Sequence, residues 1–204
     1  MVLALGFVLA SPLIAAMLQR RSLLGPSGSM VAFDRWLVLP VATLSLGVGM
    51  IHAAVVTDHF TEGTVTGLFF VVVAVFQLGW GVMFALRPQR RLAALGLSFN
   101  ILVIGAWVVT RTVGLPFGAH PGIREPTATP DLLATLMELV IVAGTAVLVL
   151  PSLRNLARRS VRGVASADLS VVLVLIVITL TISYAMADIS VNGGHGAVMG
   201  QVAP

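Results

Sequence analysis

The sequence predicts an all-helical integral membrane protein, in which residues 1–204 form one polytopic bundle of about six transmembrane helices. Composition is the first indication: 58% of the residues are hydrophobic, 10% are charged and the mean hydropathy is +1.04. A soluble domain usually carries about 25% charged residues. The second indication is that the apolar residues are gathered into runs close to the roughly 20 residues that a helix needs to cross a bilayer.

Six spans follow one another along the chain, over residues 2–18, 36–56, 67–86, 92–113, 132–150 and 169–188. The first is short and contains Pro12, and its arginines follow the apolar run instead of preceding it, which is the wrong order for a signal peptide. A cleaved or peripheral first segment is the alternative. The segment 114–131 holds four prolines and three glycines, which predicts an irregular cap between spans four and five.

The arginines predict the orientation of the bundle. All twelve basic residues are arginines, and ten of them lie in the three loops that share one side: Arg20, Arg21, Arg35, Arg87, Arg90, Arg91, Arg154, Arg158, Arg159 and Arg162. Short loops rich in arginine are typical of the cytoplasmic side. We therefore expect a multi-pass protein of the plasma membrane, the bacterial inner membrane, with both termini and its histidine-rich face outside.

Composition also excludes several function classes. The chain has no cysteine, so disulfides, thiolate metal sites and thiol catalysis are excluded. The sequence pI near 11.3 follows from the loop arginines, which we interpret as a topology signal and not as a nucleic-acid surface. The expected partners are the lipid bilayer and, beyond it, other membrane subunits or a second copy of the chain.

Ionisable residues concentrate at the predicted outer end of the second span, in the stretch "GMIHAAVVTDHFTEG" at residues 49–63. His52 and His59 are seven residues apart, which places them on one helix stripe about two turns, roughly 10 Å, from each other. Glu62 falls on nearly the same face if the helix continues. These three side chains are the first candidate ligands.

The fifth span carries a matching pair, Asp131 and Glu138, which are also seven residues apart. The two spans run in opposite directions, so facing stripes would bring His59 level with Asp131 and His52 roughly level with Glu138. Arg111, near the outer end of span four, is the natural counter-charge for Glu138 or Asp131. An ionisable group within a span is costly unless it is paired and marks a functional site by default. We expect a close pair of Arg111 with Glu138.

Imidazole and carboxylate groups together suit a transition metal such as zinc, iron, nickel or copper. The expected ligands are His52, His59, Glu62, Asp131 and Glu138. Copper is the first choice because thioether sulfur favours Cu(I), and four methionines fall in the same half of the protein or in its tail: Met50, Met137, Met186 and Met199. The alternatives are a structural polar cluster and a protonation or small-molecule site without metal.

The remaining polar residues of the spans and loops carry less functional weight. Gln77 and Asn100, in spans three and four, are interpreted as an interhelical hydrogen bond. His120 and His195 are interpreted as ordinary loop residues. Because the inner half of the spans offers little beyond Gln77 and Asn100, the sequence argues against a complete transport path in a monomer.

Three functions remain open on the sequence alone. The first is capture, transport or redox chemistry of a metal at the outer face, and the second is a small structural or accessory subunit of a larger membrane complex. The third is a metalloenzyme at the outer face, although no motif such as H-E-x-x-H or G-x-S-x-G supports a particular reaction.

Two resemblances accompany these patterns. The stretch "IHAAVVTDHF" is faintly similar to the histidine–aspartate–histidine signature of nickel and cobalt permeases, but its histidines are one residue further apart and "AAVV" supplies no inner acid. More broadly, "GLFF", "TRTVGLPFG" and "PDLLATLMELV" resemble uncharacterised multi-span membrane proteins of actinobacteria. That second resemblance covers most of the chain and implies a membrane location without a particular activity.

Overall fold

The computed structural model describes residues 32–116, 121–161 and 167–192, and all regular secondary structure in these ranges is helical. The helices are α1 (Ala32–Glu62), α2 (Thr64–Leu86), α3 (Arg90–Thr112), α4 (Thr129–Val149), α5 (Pro151–Val161) and α6 (Ala167–Asn192). Within the described ranges, four stretches are long and apolar enough to cross a membrane: Leu37–Glu62, Thr64–Leu86, Arg90–Thr112 and Thr129–Val149. The all-helical architecture with membrane-length helices predicted from the sequence is therefore confirmed.

The helix boundaries agree with most of the predicted spans. Helices α1 to α4 cover the predicted spans 36–56, 67–86, 92–113 and 132–150, and α6 covers 169–188. The first predicted span, 2–18, lies outside the described residues. The short helix α5 was not predicted; Leu150 has an extended backbone that ends α4, and the fixed φ of Pro151 suits the first position of a new helix.

Helix α1 is the centre of the bundle and packs against α2, α4 and α6. Within its membrane-length stretch 72% of the most apolar window is buried, compared with 22% for α3. The outer helices expose apolar side chains such as Val72 and Val75 of α2 and Leu102 of α3. A helix that is apolar on its exposed face as well as its buried face is typical of a membrane span.

Helices α2 and α3 are joined by a short turn at residues 87–89 and pack closely near it. The rings of Phe76 and Phe99 stack with centroids 3.6 Å apart, and Trp80 Nε1 donates to the carbonyl oxygen of Leu92 at 2.8 Å. Gly96 makes this packing possible, since a Cβ at this position would lie 2.2 Å from Trp80 Cζ2. We call this end of the bundle, which includes residues 87–91 and α5, the arginine end.

A buried polar layer crosses the bundle about one third of the way from the arginine end. Ser45 donates to the side-chain oxygen of Gln77, and Gln77 Nε2 donates to Asn100 Oδ1 at 3.0 Å. Asn100 Nδ2 in turn donates to the carbonyl oxygen of Gly96 at 2.8 Å. All three side chains are fully buried, so the predicted interhelical hydrogen bond between Gln77 and Asn100 is confirmed and extends to α1.

An apolar layer follows this polar layer toward the opposite end of the bundle. It holds one β-branched residue from each of the first four helices, each three or four residues along its helix from Ser45, Gln77, Asn100 or the buried Thr145 of α4. The members are Val48, Val73, Val103 and Ile141, and all four are buried. Because an α-helix rises about 1.5 Å per residue, this apolar layer is about 5 Å from the polar layer.

Replacing Gly96 with alanine should lower the free energy of unfolding in detergent by about 1–3 kcal/mol, the usual cost of overpacking, and with it the melting temperature. The reason is that the new methyl group would collide with the ring of Trp80, which its hydrogen bond to Leu92 holds in place. Gly105→Ala on the same helix is the matched control, because nothing lies within 4 Å of a Cβ there. Equal melting temperatures for the two variants would contradict the close α2–α3 packing.

Candidate functional site

The candidate site is a chamber at the end of the bundle opposite the arginine end, where α1 ends and α4 begins; we call this the site end. Helices α2 and α3 make few contacts with each other beyond their shared turn, and the chamber lies between them and against α1 and α4. Its volume is about 250 Å³. The lining is mostly apolar and includes Val65, Phe69, Val103, Ala106 and Ala134, with Leu115 and Glu125 contributed by the segment between α3 and α4.

The deep end of the chamber, its floor, is formed by His52 of α1 and Glu138 of α4. His52 Nε2 lies 3.2 Å from Glu138 Oε1, and the two side chains are 10% and 2% exposed. The ring of Phe70 meets the imidazole edge-on, with centroids 5.5 Å apart. The sequence prediction that His52 lies level with Glu138 is confirmed. The imidazole of His52 and the carboxyl group of Glu138 are therefore held at hydrogen-bonding distance inside the bundle.

His59 and Glu62 lie beside the chamber and not on its wall. His59 Nδ1 is 2.8 Å from Glu62 Oε2, one helical turn along α1, and its ring stacks on Phe70 with centroids 3.6 Å apart. The side chain of Phe70 therefore contacts both histidines. The predicted grouping of His52 and His59 on one stripe holds, but each imidazole has a different carboxylate partner.

Arg111 lines the end of the chamber opposite the floor, which we call its mouth. Its Nη1 donates to Glu125 Oε2 at 2.7 Å, and its Nη2 donates to Asp131 Oδ2. The expectation that Arg111 pairs with Glu138 is corrected here, because Arg111 lies near the end of α3, level with the first turn of α4. Glu138 is seven residues further along α4, about 10 Å deeper, where His52 is its partner.

Glu125 reaches Arg111 because the segment between α3 and α4 folds back on α3. The Glu125 amide donates to the carbonyl oxygen of Thr110 at 3.0 Å. Gly114 turns the chain at the end of α3 with φ 80, and a Cβ there would lie 2.6 Å from the Ile123 carbonyl oxygen. Sequence reasoning missed Glu125, since the course of an irregular segment cannot be read from its prolines and glycines.

Trp107 is the second residue of the site that sequence reasoning missed. Its ring lines the chamber and lies 5.4 Å from the Arg111 guanidinium carbon, which is within the usual range of a cation–π contact. Trp107 Nε1 and Arg111 Nε are buried, and neither has a hydrogen-bond acceptor among the described residues. In the sequence Trp107 and Phe70 are indistinguishable from ordinary apolar residues of a span.

The predicted metal ligands are only partly brought together. His52, Glu138 and Asp131 line the chamber, but no group of three or more histidine, aspartate or glutamate side chains with metal-ligand geometry occurs within the described ranges. Met137 is buried in the apolar core, and Met50 and Met186 pack against that core. His120, His195 and Met199 lie outside the described residues, and metal binding by the chain stays a prediction.

The chain matches no protein-family model, no curated protein and no solved structure.

A double-mutant cycle should assign the partner of Arg111. Arg111→Ala combined with Asp131→Asn should show a coupling energy of about 1–3 kcal/mol, because the two side chains share a charged hydrogen bond. Arg111→Ala combined with Glu138→Gln should show a clearly smaller coupling, since Glu138 lies about 10 Å deeper. The measurement is thermal unfolding in detergent. A larger coupling with Glu138 than with Asp131 would contradict the observed pairing.

Proposed function

We propose that this protein captures or carries a small, largely apolar molecule, which binds in the chamber between α1, α2, α3 and α4. The observation that supports this function best is the distribution of polarity. The walls are apolar and aromatic, whereas the ionisable groups are confined to the floor (His52 and Glu138) and the mouth (Arg111, Glu125 and Asp131). Small-molecule sites typically have this form, a mainly apolar concavity with a few convergent polar groups.

Two unused donors support a ligand that carries an oxygen acceptor. Trp107 Nε1 and Arg111 Nε have no acceptor among the described residues, and a buried donor without a partner costs about 1–3 kcal/mol. Both side chains belong to the chamber wall. A ligand oxygen near the mouth would recover that free energy, which a hydrocarbon would not.

The layers below the chamber floor favour a capture protein, which binds its ligand from one end, and disfavour an open pore. The apolar layer follows His52 and Glu138 toward the arginine end; its members are Val48, Val73, Val103 and Ile141. The polar layer comes next, and its side chains hydrogen-bond to one another. Further toward the arginine end the core is again apolar, with Trp80, Phe84, Ala93 and Leu148 buried. A carrier would have to rearrange these layers, whereas a capture protein would not.

Filling the chamber tests the proposal. Ala106→Phe places a ring on the chamber wall and should reduce binding of neohexyl phenyl ether, a neutral probe with one oxygen acceptor, at least tenfold. Leu102→Phe, one turn away on the exposed face of α3, should bind as the wild type does. Equilibrium dialysis against protein in nanodiscs gives the affinity, and the control subtracts partition into lipid. Equal binding by the two variants would exclude the chamber.

A transition metal, with copper as the first choice, is the second candidate ligand. The observation that favours it is the approach of His52 Nε2 to Glu138 Oε1 at the chamber floor, because imidazole nitrogen and carboxylate oxygen are both common metal ligands. The expected ligand set is reduced to these two residues, with Asp131 at the mouth as the further carboxylate.

Elemental analysis of protein purified without added metal tests this candidate. If metal binds at the floor, His52→Ala should lose it, whereas His59→Ala should retain it because His59 lies outside the chamber. Wild-type protein without stoichiometric metal after incubation with copper or zinc, or equal retention by both variants, would rule this site out.

A further inference from the structure

We infer that the ligand of the chamber is an organic cation, a small ammonium compound with an apolar body. The inference rests on the proposed function, since it names the chemical class that the same chamber selects. Three observations carry it: the excess of carboxyl groups over guanidinium groups in the lining, the pairing of its guanidinium with two acidic side chains, and the aromatic side chains of the wall.

The charge balance of the lining is negative. Three carboxylates line the chamber, Glu125, Asp131 and Glu138, against the single guanidinium of Arg111. Glu138 has His52 as its hydrogen-bond partner. The lining therefore has two more carboxyl groups than guanidinium groups. Excess charge within a membrane span is costly, and a bound cation reduces that cost.

The guanidinium of the described lining is already paired with acidic side chains. Arg111 donates to Glu125 and to Asp131, and its face lies toward the ring of Trp107. Unless it displaced one of these side chains, a carboxylate or phosphate ligand could contact only the remaining Nε donor, beside two acidic groups of its own charge. The mouth therefore favours a cation over an anion.

The walls present the groups that attract an ammonium ion. Phe69, Phe70 and Trp107 line the chamber. One face of Phe70 stacks on His59 and one face of Trp107 lies toward Arg111, which leaves each of these two rings one further face. The negative face of an aromatic ring attracts a quaternary ammonium group, most strongly when both are desolvated. Apart from the ionisable groups and three threonines (Thr66, Thr110 and Thr135), the rest of the lining is aliphatic, which suits an apolar body. We place the ammonium group toward Glu138 and the apolar body along the α2 and α3 walls.

A matched pair of probes isolates the contribution of charge. Choline phenyl ether and neohexyl phenyl ether have the same shape and the same ether oxygen, and differ by a quaternary nitrogen in place of a quaternary carbon. In nanodiscs of neutral lipid, the wild-type protein should bind the cation at least tenfold more tightly than the ether. Glu138→Gln, which keeps the shape of the floor, should reduce this preference at least fivefold.

Asp58→Asn is the control variant, because Asp58 is an acid of the same end of α1 that does not line the chamber. It should leave the preference for the cation unchanged. If Glu138→Gln fails to fold, judged by size-exclusion chromatography and helical content, Glu125→Gln at the mouth replaces it with the same expected direction.

The outcomes separate the two proposals. Equal or tighter binding of the neutral ether, still blocked by Ala106→Phe, would overturn the cation inference and leave the chamber as a site for neutral molecules. A preference for the cation that Asp58→Asn reduces as much as Glu138→Gln would also overturn it, since surface attraction would then suffice. Failure of both probes to bind, or binding unaffected by Ala106→Phe, would overturn the proposed function itself.

Discussion

The site depends on one constraint: Glu138 needs a hydrogen-bond partner inside the bundle. A carboxylate in a membrane-length helix is costly without a partner, and Glu138 is 1% exposed in the middle of α4. Its partner is His52 of α1, at 3.2 Å. The contact can form only in one register of the two antiparallel helices, because a shift of one turn would replace His52 by an aliphatic residue. The pair therefore positions α4 against the central helix and sets the depth of the chamber floor.

A second anchor about two helical turns away determines the shape of the chamber. Arg111 ties the end of α3 both to the start of α4, through Asp131, and to the connecting segment, through Glu125. Asp131 Oδ2 also accepts a hydrogen bond from the Ala128 amide at the beginning of α4, where the helix dipole stabilises a negative charge. These contacts hold α3 to α4 at the site end, while the described contacts between α2 and α3 lie between their shared turn and the level of Phe76 and Asn100. The space left between α2 and α3 is the chamber.

Much of this arrangement could be predicted from the spacing of residues along the helices. The rest depends on contacts that this spacing does not determine. The seven-residue separations on α1 and α4 predicted the contact of His52 with Glu138, because helix geometry fixes which side chains share a face. Of the two partners considered for Arg111, Asp131 is found, whereas Glu138 lies two turns deeper along α4 and pairs with His52. Glu125 was missed, since it lies in an irregular segment whose path is set by backbone hydrogen bonds and by Gly114. Phe70 and Trp107 carry no signal in the sequence, because the same aromatic residues serve equally well against lipid.

The two polar levels of the bundle differ in charge and in hydrogen bonding. Along α1, Ser45 and His52 are seven residues apart, and along α4, Glu138 and Thr145 are seven residues apart, so polar side chains recur at both levels. At the deeper level the groups are neutral and satisfy one another from Ser45 through Gln77 to Asn100, which stabilises packing and leaves no group to act on a ligand. At the upper level the groups are ionisable, two donors are unused and a chamber of about 250 Å³ adjoins them. The hydrogen bonds of the deeper level account for its polar groups. At the other level, helix register accounts for the paired groups but not for the two unused donors, which a ligand of the proposed site would use.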